Sequence, residues 1–198
     1  MKFGIKTWAF LGLILLTSSP ISAQDSGKRT RVVTAERIIP VSAERVWQAM
    51  VLDYGEISNF APSIYTSGYE NGSLMGKVGA ERKCSFNENG SQWVHERILE
   101  LDSENRIMRN RVIDAEKYPL DMEATYAYYK VRDNDDGTAT AIYELHYRAK
   151  PAIMNGLMKR AFQKQLTETL IGLEHYLTTG EVVNATTGNW DEIRKQCY

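Results

Sequence analysis

Five segments between Val78 and Ala149 are rich in β-branched and aromatic residues and alternate with period two, which predicts a run of antiparallel strands. Residues typical of hairpin turns separate the segments. The alternation also places arginine, glutamate and histidine side chains on the face expected to meet a helix. Burying such groups costs several kcal/mol each unless they find partners. The pattern therefore predicts a sheet that lines a cavity. The five segments are 79–86, 92–98, 106–113, 121–131 and 138–147.

The helix expected to meet this sheet lies near the end of the chain, over residues 151–177, where apolar residues recur at spacings of three and four. Most of this stripe is what any helix packed on a sheet needs. Met154, Met158 and Phe162 near its start would also form adaptable walls for an apolar ligand. The stripe consists of Met154, Leu157, Met158, Ala161, Phe162, Leu166, Leu170, Leu173 and Leu177.

The segment before the five strands predicts two more strands and a short helix. Residues 31–39 alternate as a first strand, and residues 64–73 predict a second that closes in an Asn-Gly turn. After Pro40, Ser42 is a suitable N-cap and Glu44 lies in the first helical turn, where a carboxylate suits the helix dipole. This helix is expected to end near Asp53, and a second short helix or loop covers 56–64.

The N-terminus has the layout of a secretory signal peptide: Lys2 and Lys6, an apolar run from Trp8 to Leu16, then small residues ending in Ala23. The run is shorter than the about 20 apolar residues that span a bilayer. We expect cleavage after Ala23, a disordered polar lead at 24–30, and a secreted or periplasmic protein with no stable membrane insertion after cleavage.

Charge and length exclude some classes of protein. Removal of residues 1–23 lowers Lys+Arg from 24 to 22 against 25 Asp+Glu, so the formal net charge changes from −1 to −3. A domain with a net charge near zero lacks the excess of basic residues that is typical of nucleic-acid-binding proteins. The remaining residues are expected to form one domain at 31–180, most simply a monomer, with a tail at 181–198 whose role the residues do not indicate.

No cofactor or metal site is expected. The three histidines, His95, His146 and His175, lie far apart and lack the short spacing of a metal site. There is no phosphate-binding glycine loop and no nucleophile elbow. Cys84 and Cys197 form either a disulfide or two separate thiols, and both alternatives stay open.

An ordered series of short strings resembles the START-like (SRPBCC) superfamily, specifically its polyketide cyclase/dehydrase branch. The branch is itself similar to the plant abscisic acid receptors and the major birch pollen allergen group. The resemblance covers residues 31–180 and implies an α+β helix-grip fold. In this fold a curved antiparallel sheet wraps a long C-terminal helix, two short helices close the other end, and a cavity lies between. The strings are at 41–47, 53–55, 76–82, 95–102, 118–120 and 136–144.

The resemblance also implies which side chains face inward. Glu96 and Glu144 match the pocket glutamates of the receptor branch, but the gate-loop strings of hormone receptors are not evident at 87–90. A register error of one residue would turn each strand's set to solvent. Cys84, Val112, Ala127 and Ile142 are further inward positions. The expected ligand-binding residues are Arg82, Phe86, Glu96, Asn110, Glu123, Thr125, Glu144 and His146, with Met158 and Phe162 from the helix.

These residues leave several functions open. A noncatalytic carrier would hold a small hydrophobic or amphipathic molecule, whereas a purely structural ion-pair network would hold only water. A cyclase, dehydratase or hydrolase would use Glu144 or His146 as acid and base. An accessory protein of a periplasmic enzyme system is a further alternative. Cyclases of this family act on chains tethered to cytosolic carriers, so an exported member favours the binding or carrier hypothesis over an enzyme.

Overall fold

A computed structural model of the protein describes residues 29–196, which form a seven-stranded antiparallel sheet curved around a long helix. Along the sheet the strand order is β1-β7-β6-β5-β4-β3-β2. The α+β helix-grip fold is thus confirmed. The strands are β1 Arg31–Ile39, β2 Thr66–Glu70, β3 Glu81–Ser85, β4 Trp93–Asp102, β5 Ile107–Glu116, β6 Tyr126–Asp133 and β7 Ala139–Tyr147.

Three short helical segments connect β1 to β2. Helix α1 spans Ala43–Trp47 and continues as a π-helical turn, Gln48–Leu52, and a 3₁₀ segment, Tyr54–Asn59. The predicted N-cap is confirmed, since the Ser42 hydroxyl accepts a hydrogen bond from the backbone N–H of Arg45 at 3.5 Å. The buried side chains of this segment close one end of the structure against the sheet.

Helix α2, Asn155–Thr179, follows a 3₁₀ turn at Ala152–Met154. Its C-terminal half is buried through Leu166, Leu170 and Leu173, whereas Ile153 and Leu157 at the N-terminal end are 90% and 73% exposed. The helix ends at Gly180, whose positive φ of 80° provides the left-handed cap. The long helix was therefore predicted correctly, but its first turns do not pack on the sheet as its later turns do.

The strand predicted at 121–131 begins later than expected. Residues 121–125 form a turn, because the backbone N–H of Ala124 bonds to the Asp121 carbonyl and that of Asp121 to the Arg148 carbonyl. An isolated bridge between Leu120 and Ala149 fixes this turn beside the end of β7. The strand pairing with β5 and β7 starts only at Tyr126.

The C-terminal segment packs against the helices. The backbone N–H groups of Val183 and Ala185 donate to the carbonyls of Asn59 and Ile64. Helix α3, Trp190–Gln196, buries Ile193, and Arg194 forms an ion pair of 2.8 Å with Glu168 of α2. The tail, whose role could not be interpreted from sequence, thus holds the C-terminal half of α2 in place.

Some sequence-based expectations lie outside the described residues. These are the signal peptide at 1–23, most of the lead at 24–30, and Cys197. Cys84 is a buried free thiol. From residue 29 to residue 196, no helix has the length and apolar character that crossing a bilayer requires.

Two glycines of α2 provide a matched test of how closely this helix approaches its neighbours. A Cβ at Gly172 would overlap the carbonyl oxygen of Phe60, whereas a Cβ at Gly156 would meet no atom within 4 Å. We expect Gly172→Ala to lower the free energy of unfolding by about 1–3 kcal/mol, because backbone must move. Gly156→Ala should be neutral or stabilising by up to about 1 kcal/mol. Urea denaturation measures both, and equal midpoints would contradict the close approach.

Candidate functional site

A cavity of about 90 Å³ lies between the inner face of the sheet and helix α2. It is far smaller than the roughly 300–1,000 Å³ of sites that hold drug-sized ligands. Most of its exposed surface is apolar, although half of the side chains that line it carry polar groups. The apolar wall consists of Ile57, Ile64, Cys84, Phe86, Val94, Val112, Ala127, Leu145, Phe162 and Leu166. The polar wall consists of Arg82, Glu96, Asn110, Arg111, Tyr118, Thr125, Tyr126, Tyr143, Gln165 and Thr169.

Alternation along the strands positions the central polar groups. Arg82 on β3 lies directly across from Glu96 on β4. On β5, Asn110 lies on the same inner face as Val112, two residues on. The ladder between β4 and β5 shifts register between His95 and Glu96. Beyond this shift Glu96 pairs with Val112, and Ile98 pairs with Asn110. Neighbouring strands thereby bring an arginine, a carboxylate and an amide together.

The Arg82 guanidinium is the centre of the polar cluster and is 1% exposed. Its Nε donates to Glu96 Oε2 at 2.7 Å, Nη1 to the Tyr54 carbonyl at 3.0 Å, and Nη2 to the Tyr129 hydroxyl at 2.8 Å. The guanidinium also lies 4.0 Å from the centre of the Tyr54 ring. Burial lowers the pKa of Arg82, but Glu96 together with Tyr129, Tyr54 and Cys84 outweighs this effect and holds the pKa well above its ordinary value. Arg82 is therefore charged, and its charge is paired.

Asn110 extends the cluster. Its Nδ2 donates to the Tyr54 hydroxyl at 2.9 Å and to Glu96 Oε1 at 3.2 Å. The Tyr129 hydroxyl donates to the Tyr143 hydroxyl at 2.7 Å. Among the described residues, the buried Oδ1 of Asn110 has no hydrogen-bond donor. The cluster thus satisfies its charges but leaves one acceptor open.

Four further ionisable groups at or beside the cavity, Cys84 and three tyrosines, are held neutral. Burial raises the pKa of Cys84 to about 12 and that of Tyr129 to about 12. Burial likewise raises the pKa of Tyr118 and of Tyr143. A thiol is nucleophilic only as thiolate, so Cys84 is inert in this environment. These groups offer hydrogen bonds rather than proton transfer near neutral pH.

The structure brings together six of the ten predicted ligand-binding residues. Met158 is partly buried against the core but does not line the cavity, and Glu123 lies exposed in the turn before β6. The inward placement of Glu123 was wrong because the chain turns at 121–125 instead of continuing a strand. The six residues that line the cavity are Arg82, Phe86, Glu96, Asn110, Thr125 and Phe162.

The register predicted for β7 was wrong by one residue. Tyr143 and Leu145 line the cavity, so Ile142, Glu144 and His146 alternate to the other face. There Glu144 pairs with Lys130 at 2.9 Å and with His146 at 2.6 Å. Partial burial raises the pKa of Glu144, but the hydrogen bonds from His146 and Lys130 outweigh it and set the pKa below its ordinary 4.5. Neither residue can act on a molecule in the cavity.

Sequence reasoning missed the tyrosines that complete the cluster. Tyr54, Tyr129 and Tyr143 each contact Arg82 or one of its partners. Tyr143 and Leu145 occupy alternate positions of one apolar set on β7, and this parity was the available signal. Over residues 29–196 no group of three or more His, Cys, Asp or Glu is arranged to hold a metal ion.

Comparison with known proteins identifies the family and the fold. The family of polyketide cyclases/dehydrases and lipid transport proteins matches residues 30–178, and the chain belongs to this family. This confirms the resemblance drawn from the sequence. No curated protein matches the sequence.

Three solved structures show the same fold, each at 18% identity. TTHA0849 from Thermus thermophilus superposes with a TM-score of 0.60, and Ara h 8.0201 with 0.59; each match covers 76% of this chain and 99% of the other. XoxI from Bacillus cereus gives 0.56, covering 75% of this chain and 96% of the other. At this identity the likeness establishes the fold alone.

The buried ion pair allows a double-mutant test. Arg82→Met leaves Glu96 without its cation, and Glu96→Gln leaves Arg82 without its anion, so each should lower the free energy of unfolding by about 3–5 kcal/mol. The double variant should lose clearly less than the sum of the two, because no unpaired charge remains. Urea denaturation measures all four proteins, and strict additivity would contradict direct pairing.

Proposed function

We propose that the protein is an exported, monomeric binding or carrier protein that holds a small hydrophobic or amphipathic molecule in the internal cavity. The observation that carries this proposal is the composition of the cavity wall. A largely apolar surface surrounds one hydrogen-bonded polar cluster, which is the usual make-up of a site for a small organic ligand.

The polar cluster supports recognition better than it supports stability. Replacing a buried ion pair by apolar residues of similar volume is often neutral or stabilising by about 1–4 kcal/mol. Arg82 and Glu96 therefore give the fold little that apolar side chains would not. Their value lies in orienting a polar group of a bound molecule.

The size of the cavity bears on the kind of ligand. About 90 Å³ admits only a small molecule without rearrangement. A larger one requires the first turns of α2 to move away from the sheet. Leu157 is exposed there, as is Ile153 in the preceding 3₁₀ turn. The movement would break the hydrogen bonds of Asn155 with Tyr147 and the Ala149 backbone and the partly buried contacts of Met158 and Phe162. Phe162, the aromatic residue of α2 that lines the cavity, would move with these turns.

The same geometry favours binding over catalysis. Acid–base chemistry needs a group whose pKa lies near the working pH and which reaches the substrate. Cys84 and the cavity tyrosines have raised pKa values, and Glu144 and His146 lie on the opposite face of the sheet. The cyclase, dehydratase or hydrolase alternative therefore lacks the acid and base that it would use, since neither Glu144 nor His146 lines the cavity.

Ligand binding is tested by filling the cavity. In Ala127→Leu the larger side chain occupies space in the cavity wall, whereas Ala152→Leu adds the same atoms at an exposed position before α2. Native mass spectrometry of protein purified from its own host should show a bound molecule in the unmodified protein and in Ala152→Leu. Occupancy should fall at least about tenfold in Ala127→Leu. If extraction recovers no molecule from the unmodified protein, the cavity holds only water and the proposal fails.

Export is tested on the N-terminus. We expect protein recovered from the periplasmic or culture fraction to begin at Gln24, because small residues ending in Ala23 form the cleavage signal. In Ala23→Tyr the bulky ring should block cleavage and leave the leader attached. Intact-mass measurement distinguishes the two forms. A mature protein that still begins at Met1 would contradict the export proposal.

A further inference from the structure

We infer that the molecule held in the cavity is electrically neutral at its polar end and donates a hydrogen bond, from a hydroxyl or N–H group, to Oδ1 of Asn110. This inference rests on the proposed binding function and names the chemical class of its ligand. The expected class is a small apolar body carrying one hydroxyl, such as a phenol or an alcohol, or one neutral N–H.

The orientation of the Asn110 amide follows from its partners. Glu96 Oε1 can only accept a hydrogen bond, so the atom 3.2 Å from it is the amide nitrogen. The second amide hydrogen goes to the Tyr54 hydroxyl at 2.9 Å. Both donors of Asn110 are thereby used within the protein. The oxygen is the one polar atom of this side chain that has no partner among residues 29–196.

This oxygen is costly to leave open. Asn110 is 1% exposed, lines the cavity, and its Oδ1 has no donor among residues 29–196. A buried acceptor without a partner costs about 1–3 kcal/mol. A ligand that supplies a donor removes this cost, whereas one that offers only acceptors or apolar atoms does not.

The charge balance of the cluster selects against ions. The Arg82 cation is paired with Glu96 at 2.7 Å and also bonds to Tyr54 and Tyr129. A carboxylate entering the cavity would find the Arg82 cation already neutralised, and the other arginine of the lining, Arg111, is exposed to solvent. An ammonium group would compete with Arg82 for Glu96. Burying either ion without its own partner is strongly unfavourable.

A hydroxyl matches the cavity better than an N–H because it can also accept. Tyr143 lines the same cavity, and its oxygen already accepts from Tyr129 at 2.7 Å. Its own proton is then available for a ligand oxygen. Around these groups the wall is apolar through Val94, Val112 and Leu145, which suits a hydrocarbon body.

The test compares three probes of similar size: p-cresol, anisole and toluene. Only p-cresol has a donor, whereas anisole is its isomer with an acceptor alone. Affinities are measured by NMR titration of the unmodified protein. We expect p-cresol to bind about tenfold more tightly than either other probe, which corresponds to one buried hydrogen bond.

Two variants assign the preference to Asn110. Asn110→Leu removes the acceptor and should abolish the difference between p-cresol and anisole. Val112→Ala changes the apolar wall and should shift the affinity for all three probes together. Urea denaturation shows whether each variant folds. If Asn110→Leu does not fold, the ratio of p-cresol to anisole in the unmodified protein decides alone.

The outcomes separate this inference from the proposed function. Equal affinity for all three probes would overturn the donor requirement, because a water molecule would then remain hydrogen-bonded to Asn110 in every complex. The binding function itself would stay intact. A preference for p-cresol that survives in folded Asn110→Leu would also overturn it. If none of the probes binds, the cavity does not take such ligands, and both this inference and the binding function for molecules of this class fail.

Discussion

The buried contact between Arg82 and Glu96 connects parts of the chain that are otherwise distant in sequence. Through one guanidinium, strand β3 is joined to β4 by Glu96, to β6 by Tyr129, and to the short helical segment by the Tyr54 carbonyl. A planar cation with several donors in fixed directions is suited to such a junction. The shape of the cavity depends on this contact, because its polar wall and its closed end share the same side chain.

The strands, the long helix and the inner faces of β3 to β5 could be predicted from the sequence, because local alternation and periodicity specify them. The face of β7 could not be assigned in this way. Its two alternating sets, one with Glu144 and His146 and the other with Tyr143 and Leu145, both contain polar atoms. The set with Tyr143 and Leu145 faces inward, and there the Tyr143 hydroxyl accepts a hydrogen bond from Tyr129 on β6. Alternation along one strand groups the residues of a face but does not reveal such a contact between strands. Glu123 was misplaced because a turn stabilised by Arg148 replaces the expected strand.

Family membership establishes the fold, whereas the geometry of the site bears on the function. The family establishes a fold that encloses ligands, and its description includes both enzymes and lipid transport. The residues of this chain narrow that range. At the cavity Arg82 and Glu96 pair with each other, Cys84 and Tyr143 are held neutral, and the Glu144–His146 pair lies on the far side of the sheet. Such a wall supports the proposed binding of a molecule through shape and hydrogen bonding.

The C-terminal segment gives the two ends of α2 unequal stiffness. Gly172 rests against the Phe60 backbone, and Arg194 ties α3 to Glu168, so the later turns are anchored from two sides. The first turns are largely exposed, and hydrogen bonds of Asn155 to the end of β7 hold them more weakly than packing holds the rest. The later turns are therefore fixed by contacts on two sides, whereas fewer buried contacts hold the first turns. Local opening of α2 should accordingly cost less free energy at its N-terminal end than at its C-terminal end.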